Sequence, residues 1–258
     1  MQLQTVSSVD LYYICQMVDN VTRAPRDYLR YIEDIFGDTR SSALARKYPK
    51  FTCFHIFIEE LISSVIWEER TREVSDLKKL WVHQLLKANR ECFELARHSV
   101  PSHIKDAEDY ISALSEDGIL ADLVEHVTMQ VFHVLFANRG TLAAFGGMVS
   151  GYVQNTATMF SPEAFRKKGI LNRGKPPEWA KSAVFHRDKG RCVICKSDLT
   201  RVLSQTEKIQ YDHIVPLARG GMNCVTNLQL TCAKCNGSKG ARSCSTSNEY
   251  EAWYAIEP

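Results

Sequence analysis

Apolar residues recur at three- and four-residue spacing through most of the first 160 positions of the chain. In PRDYLRYIEDIF, Tyr28, Leu29, Ile32 and Phe36 fall on one helical stripe. The stretches CFHIFIEELISSVIWEE (53–69) and DLKKLWVHQLLKANRECFELA (76–96) carry the same period, and further helices are predicted over 106–114 and 119–137. Strand-like alternation is missing, prolines are few and no internal repeat stands out. The pattern predicts an all-helical domain over residues 1–160, of the bundle type, serving oligomerisation, targeting or regulation.

The helical period breaks at SPEAFRKKGILNRGKPPEWA, where three prolines and two glycines predict a linker over residues 161–178. Arg166, Lys167, Lys168, Arg173 and Lys175 lie along it, placed either to meet a phosphate backbone or simply to face solvent. A short helix is predicted over 178–188. Further on, YDHIVPLARGG (211–221) reads as a short strand whose apolar members are Tyr211, Ile214, Val215 and Leu217. Asp212 and His213 sit side by side within it, although neighbouring side chains on a regular strand point to opposite faces. Two such groups can serve one site only where the strand ends or bulges. Pro216, Gly220 and Gly221 follow at once.

Charge separates the two parts. Residues 1–160 are net −5 and residues 161–258 net +7, which points the C-terminal part toward a polyanion or a solvated basic face. At 258 residues and 45% hydrophobic content the chain is globular in composition. MQLQTVSSVD lacks the basic and apolar regions of a signal peptide, and a cytoplasmic protein is expected. The uncharged run 140–162 contains glycines, amides and hydroxyls, so a packed helix or subunit contact is expected there rather than a membrane span. Six of the eight histidines lie before residue 160 without a metal-binding pattern and read as packed or surface residues.

Nine cysteines include two CxxC pairs, Cys192/Cys195 and Cys232/Cys235. Each knuckle turns tightly enough to aim two thiolates at one ion, and four thiolates satisfy tetrahedral zinc. A redox CxxC would need a βαβ setting that this sequence lacks. The 36 residues between the knuckles exceed a simple ribbon loop, and the insert carries Asp212 and His213. Cys15, Cys53, Cys92, Cys224 and Cys244 are expected as ordinary reduced thiols.

Taken in order, RCVIC, YDHIVPLARGG, NLQL and CAKCNGSKG resemble the zinc-supported branch of the HNH endonucleases, also called ββα-metal or His-Me finger nucleases. The resemblance covers roughly 179–242 and assigns residues 179–258 to the nuclease domain; the helical part resembles no family. It implies a small ββα-metal domain on a four-cysteine zinc site, which with the helical part makes the expected fold α+β, mainly α. The implied activity is metal-dependent hydrolysis of phosphodiesters, in DNA before RNA, in the manner of restriction or phage-defence effectors. By the same resemblance His213 is the general base, Asp212 and Asn236 hold a catalytic Mg²⁺ or Mn²⁺, and Asn227 organises the loop. Asn236 stands where the family often has histidine, and still offers an oxygen donor. Lys234, Lys239 and Arg242 flank these residues as expected phosphate contacts. Two rival readings are a zinc module that binds nucleic acid without cutting it, and an interaction protein whose helical part carries the function. A homo-oligomer or a partner protein would engage that helical part.

Overall fold

The computed structural model describes residues 8–29, 33–36, 42–89, 104–155, 162–167, 169–200, 202 and 208–248. Its helices are α1 (Ser8–Arg23), α2 (Pro25–Tyr28), α3 (Glu33–Phe36), α4 (Ser42–Ala45), α5 (Cys53–Glu68), α6 (Trp81–Ala88), α7 (Ala107–Glu116), α8 (Ile119–Phe136), α9 (Arg139–Asn155), α10 (Glu178–Arg187) and α11 (Ala233–Lys239). Strands β1 (Phe165–Lys167) and β2 (Ile170–Leu171) form one antiparallel pair, and β3 (Ile209–His213) and β4 (Leu228–Cys232) the other. The fold is α+β and mainly α. Contacts gather the chain into two compact units, residues 1–20 with 55–134, and residues 21–54 with 135–258. Ile32, Cys92 and Lys168, named above, lie outside the described residues.

In the first unit, apolar spacing and helix caps act together. Asp106 accepts the Asp109 N–H at 2.8 Å and starts α7 as an N-cap. The helical pattern over 76–96 is divided differently from expectation: Leu77–Lys79 is a 3₁₀ turn, Leu80 is extended, and α6 begins at Trp81. The cause is tertiary. Buried Glu69 accepts the Trp81 and Val82 N–H groups at 2.8 and 3.1 Å, so a carboxylate distant in sequence caps the helix. Helix α8 is long and apolar enough to cross a membrane by length and composition. However, it buries Leu123, Val124, Val127, Thr128, Val131 and Phe132 while Asp122 and Glu125 are exposed, the stripe of a core helix.

His55 is buried and stacks on Phe132, with ring centroids 3.7 Å apart. Burial, reinforced by the charge of His133, pushes its imidazole down to about 4. The unfolded chain binds this proton near pH 6.5 and the folded one only near pH 4, so the stability from a neutral His55 is complete above pH 6.5 and is lost as pH falls to 4. Denaturant midpoints measured across that window should decline on acidification. In His55→Phe, which keeps the stack, the decline should be shallower.

The second unit draws on both ends of the sequence. Residues 161–178, expected as a linker, hold a 3₁₀ turn at Pro162–Ala164 and the β1–β2 hairpin. Asp188 follows α10 and is buried with Arg187 on one side and Arg139 of α9 on the other. Arg139 Nη1 donates to Asp188 Oδ1 at 3.0 Å, Arg187 Nε to Oδ1 at 2.8 Å, and the Leu230 N–H of β4 to Oδ2 at 2.8 Å. Arg187 Nη2 also reaches the Leu228 carbonyl at 2.6 Å. Arg139, expected in the helical domain, therefore forms part of the scaffold behind β4. Tyr48 packs in the same core with Val184, Leu199 and Leu230. Cutting at residue 160 removes Tyr48 and Arg139 and uncovers Asp188. The fragment 161–258 is consequently expected to unfold at least ~10 °C below this unit in the full chain even when zinc-loaded, a difference that calorimetry would read.

Candidate nuclease centre

Strand β3 carries Asp212 and His213 at its C-terminal end. The ladder pairs Asp212 with Gln229 and His213 with Leu228, then stops. Beyond it, the Ile214 N–H donates to the Asn227 carbonyl at 2.7 Å. The Asn227 side chain closes the loop from inside. Its Oδ1 accepts the Val215 N–H at 2.8 Å, and its Nδ2 donates to the Val215 and Met222 carbonyls at 3.0 and 2.9 Å. One buried amide thus satisfies three backbone groups that leave the ladder. The Gly220-Gly221 pair is required by space: a Cβ on Gly221 would overlap the Val215 carbonyl, and one on Gly220 (φ +79°) the Ser150 carbonyl of α9.

His213 is 4% exposed. Asn223, itself buried, hydrogen-bonds the ring through its side chain, and Nε2 is a buried atom with no partner among the described residues. Burial drives the imidazole down to about 4, with Arg173 and Lys239 pushing the same way and Asp212 and the Asn223 bond opposing. The ring is therefore neutral at neutral pH, and Nε2 makes no hydrogen bond with the described residues.

Asp212 is held by two donors on one oxygen. Lys239 Nζ lies 2.9 Å from Oδ2, and Gln229 Nε2 donates to the same Oδ2 at 3.0 Å. Lys239 is a correction to the sequence reading. It is 7% exposed, and its ammonium also donates to the His213 carbonyl at 2.7 Å, so it braces β3 instead of facing a phosphate. Lys234 and Arg242 are exposed, as a phosphate contact requires. Asn236 lies three residues before Lys239 on α11 and is half-buried, and its side chain makes no hydrogen bond with the described residues.

Behind the centre, the sulfurs of Cys192, Cys195, Cys232 and Cys235 all lie within 4.8 Å of one another. The first knuckle is tied to β4, where the Val193 N–H donates to the Leu230 carbonyl at 3.0 Å, and within the second the Cys235 N–H points at the Cys232 sulfur at 3.4 Å. Four soft sulfur donors at this separation fit zinc. Residues 192–248 match the HNH endonuclease family model. No curated protein and no solved structure matches the chain. The match covers less than a quarter of the 258 residues. The HNH segment contains both knuckles, β3, β4 and α11, which form its ββα core on the four-cysteine cluster. A nucleic-acid-related function follows from that family.

Among the remaining cysteines, Cys15, Cys53 and Cys224 are buried free thiols, and Cys244 is a half-buried one. Sequence reasoning did not find Asn223, Gln229, Asp188 or Arg139. Only Gln229 had a local signal, as the polar residue inside the apolar NLQL strand.

Purified protein should contain one zinc per chain. Stripping it with a chelator, or Cys235→Ser, should unfold the HNH segment, because zinc affinity on the order of 10 kcal/mol is part of its folding free energy. Elemental analysis that finds no zinc in folded protein would contradict the four-thiolate assignment.

Proposed function

We propose that the chain is a metal-dependent endonuclease that hydrolyses phosphodiester bonds, DNA being the preferred substrate. One observation carries the reading: a buried, neutral imidazole with an unpartnered Nε2 at the end of β3, beside Asp212, in a segment that matches the HNH family. In this reading His213 Nε2 takes the proton from the attacking water while the Asn223 bond keeps the ring oriented. Asn227 holds the loop so that His213 and Asp212 stay together.

The donor set suits a hard divalent ion. Asp212 Oδ1 bears no hydrogen bond among the described residues, and Asn236 offers an amide oxygen. These two residues would hold Mg²⁺ or Mn²⁺, with the remaining positions left to water and phosphate. Such an ion, when bound, neutralises charge on the scissile phosphate and the departing oxygen. The first unit would assemble, target or regulate the nuclease, an arrangement suited to restriction or phage defence.

The Lys239–Asp212 ion pair favours a second reading, a zinc module that binds nucleic acid without cutting it, because an ammonium already sits on the carboxylate. Cleavage decides between them. With Mg²⁺ or Mn²⁺, wild-type protein should convert supercoiled plasmid to open or linear forms, and EDTA should stop it. His213→Ala should lose at least ~10²-fold in rate while retaining zinc and DNA affinity. Plasmid that stays intact under every metal condition would leave the binding module as the function.

A further inference from the structure

Arg173 lies in the stretch expected as a linker, yet the residues on both sides of it are hydrogen-bonded to one side chain. The Gly174 N–H donates to Asn223 Oδ1 at 2.8 Å, and Asn223 Nδ2 donates to the Asn172 carbonyl at 2.9 Å. One buried amide thus grips the residues on both sides of Arg173. On the upstream side, the Asn172 N–H donates to the Ala164 carbonyl at 2.9 Å and its Nδ2 to the Glu163 carbonyl at 2.7 Å. Downstream, a Cβ on Gly174 would lie 3.1 Å from the Tyr48 ring and 3.2 Å from the Lys47 side chain, so residue 174 is packed directly on that turn. Tyr48 adopts φ 53°, a left-handed conformation costly for an aromatic residue, and its N–H donates to the Asn223 carbonyl at 2.8 Å.

This much fixing is not needed to pass the chain from α9 to α10. What it immobilises is an exposed guanidinium that makes no hydrogen bond or ion pair with any described residue. The amide that holds its backbone also holds the His213 ring. The charge of Arg173 acts on both the Tyr48 phenol and the His213 imidazole.

We propose that Arg173 is a phosphate-contacting residue of this centre, positioned through Asn223 at a fixed offset from His213. A planar fork of donors suits two oxygens of one phosphate, and a backbone gripped on both sides lowers the entropy lost on engagement. The ligand class is the sugar–phosphate backbone of a nucleic acid, read without regard to sequence. The inference rests on the nuclease reading only for what happens to the phosphate after it is bound.

The test uses the full-length, zinc-loaded protein and its Arg173→Gln, Arg173→Ala and Arg173→Lys variants. Affinity for 20-base-pair DNA and RNA duplexes is measured in EDTA over a KCl series, and plasmid cleavage is measured separately with Mn²⁺. Because Arg173 is exposed, zinc content and thermal midpoint should match wild type in all three variants. For the preferred duplex, Arg173→Gln and Arg173→Ala should each reduce the slope of log affinity against log salt by about one, and Arg173→Lys should restore it. Cleavage by the two neutral variants should fall at least ~10-fold, mainly in kcat, through loss of phosphate placement. A wild-type slope in both neutral variants overturns the inference, whatever the cleavage rate. Failure of wild-type protein to bind either duplex overturns it as well. A reduced slope in a protein that cuts nothing upholds the phosphate contact and removes the nuclease reading alone.

Discussion

The loop that follows β3 depends on the Asn227 side chain. A strand that simply stopped would leave buried N–H and carbonyl groups without partners. Asn227 meets that constraint with one amide, taking the Val215 N–H and donating to the Val215 and Met222 carbonyls. Asparagine suits the task because a carboxylate could not donate and an alcohol has a single proton. The approach of α9 is fitted to the same point: a Cβ on Gly146 would stand 3.1 Å from Val215 and 3.7 Å from Asn227 Oδ1. Loop and helix are thus matched across a contact that leaves little room for larger groups.

Electrostatics behind the sheet and in front of it follow different rules. Behind β4, Asp188 takes donors from Arg139, Arg187 and the Leu230 N–H, with all three charged side chains almost wholly buried. Burial of this kind gains little net stability, but removing one member strands the others in a medium that cannot solvate them. Its physical effect is register, since the network fixes β4 against α10 and the first cysteine knuckle. In front, Lys239 and Gln229 occupy one oxygen of Asp212, and the other bears no hydrogen bond among the described residues. Lys239 holds the Asp212 carboxylate and the His213 carbonyl at once, so α11, pinned through Cys235 at one end, is tied to β3 at the other. Asn236 lies on α11 between Cys235 and Lys239.

The expected boundary at residue 160 followed composition, and composition is blind to which helices cover which core. Apolar stripes in 1–160 carried the helices well, including α5, α7 and α8, because amphipathic periodicity is a local property. No periodicity could reveal that Tyr48 and Arg139 lie in the same unit as the cysteine knuckles, since each is one residue whose partner is distant in sequence. The basic 161–178 stretch read as a linker for the same reason. Its prolines and glycines signal turns, and turns held by Asn223 look identical in sequence to turns held by nothing.

By itself the sequence carried the pattern of this segment: four cysteines in two knuckles, Asp212 beside His213, and amides at 227 and 236, in the order of an HNH segment. Those features are legible because ligand type and spacing are local, and a four-thiolate zinc site accepts few alternatives. Tertiary structure alone decided orientation. It turned Lys239 inward onto Asp212, where the spacing of basic residues pointed it at substrate. It also selected Asn223, unmarked in the sequence, to hold both the His213 ring and the backbone around Arg173. The reason is physical: a side chain's role in a buried centre is set by which unsatisfied group lies within about 3 Å of it, and that distance exists only after the chain has folded.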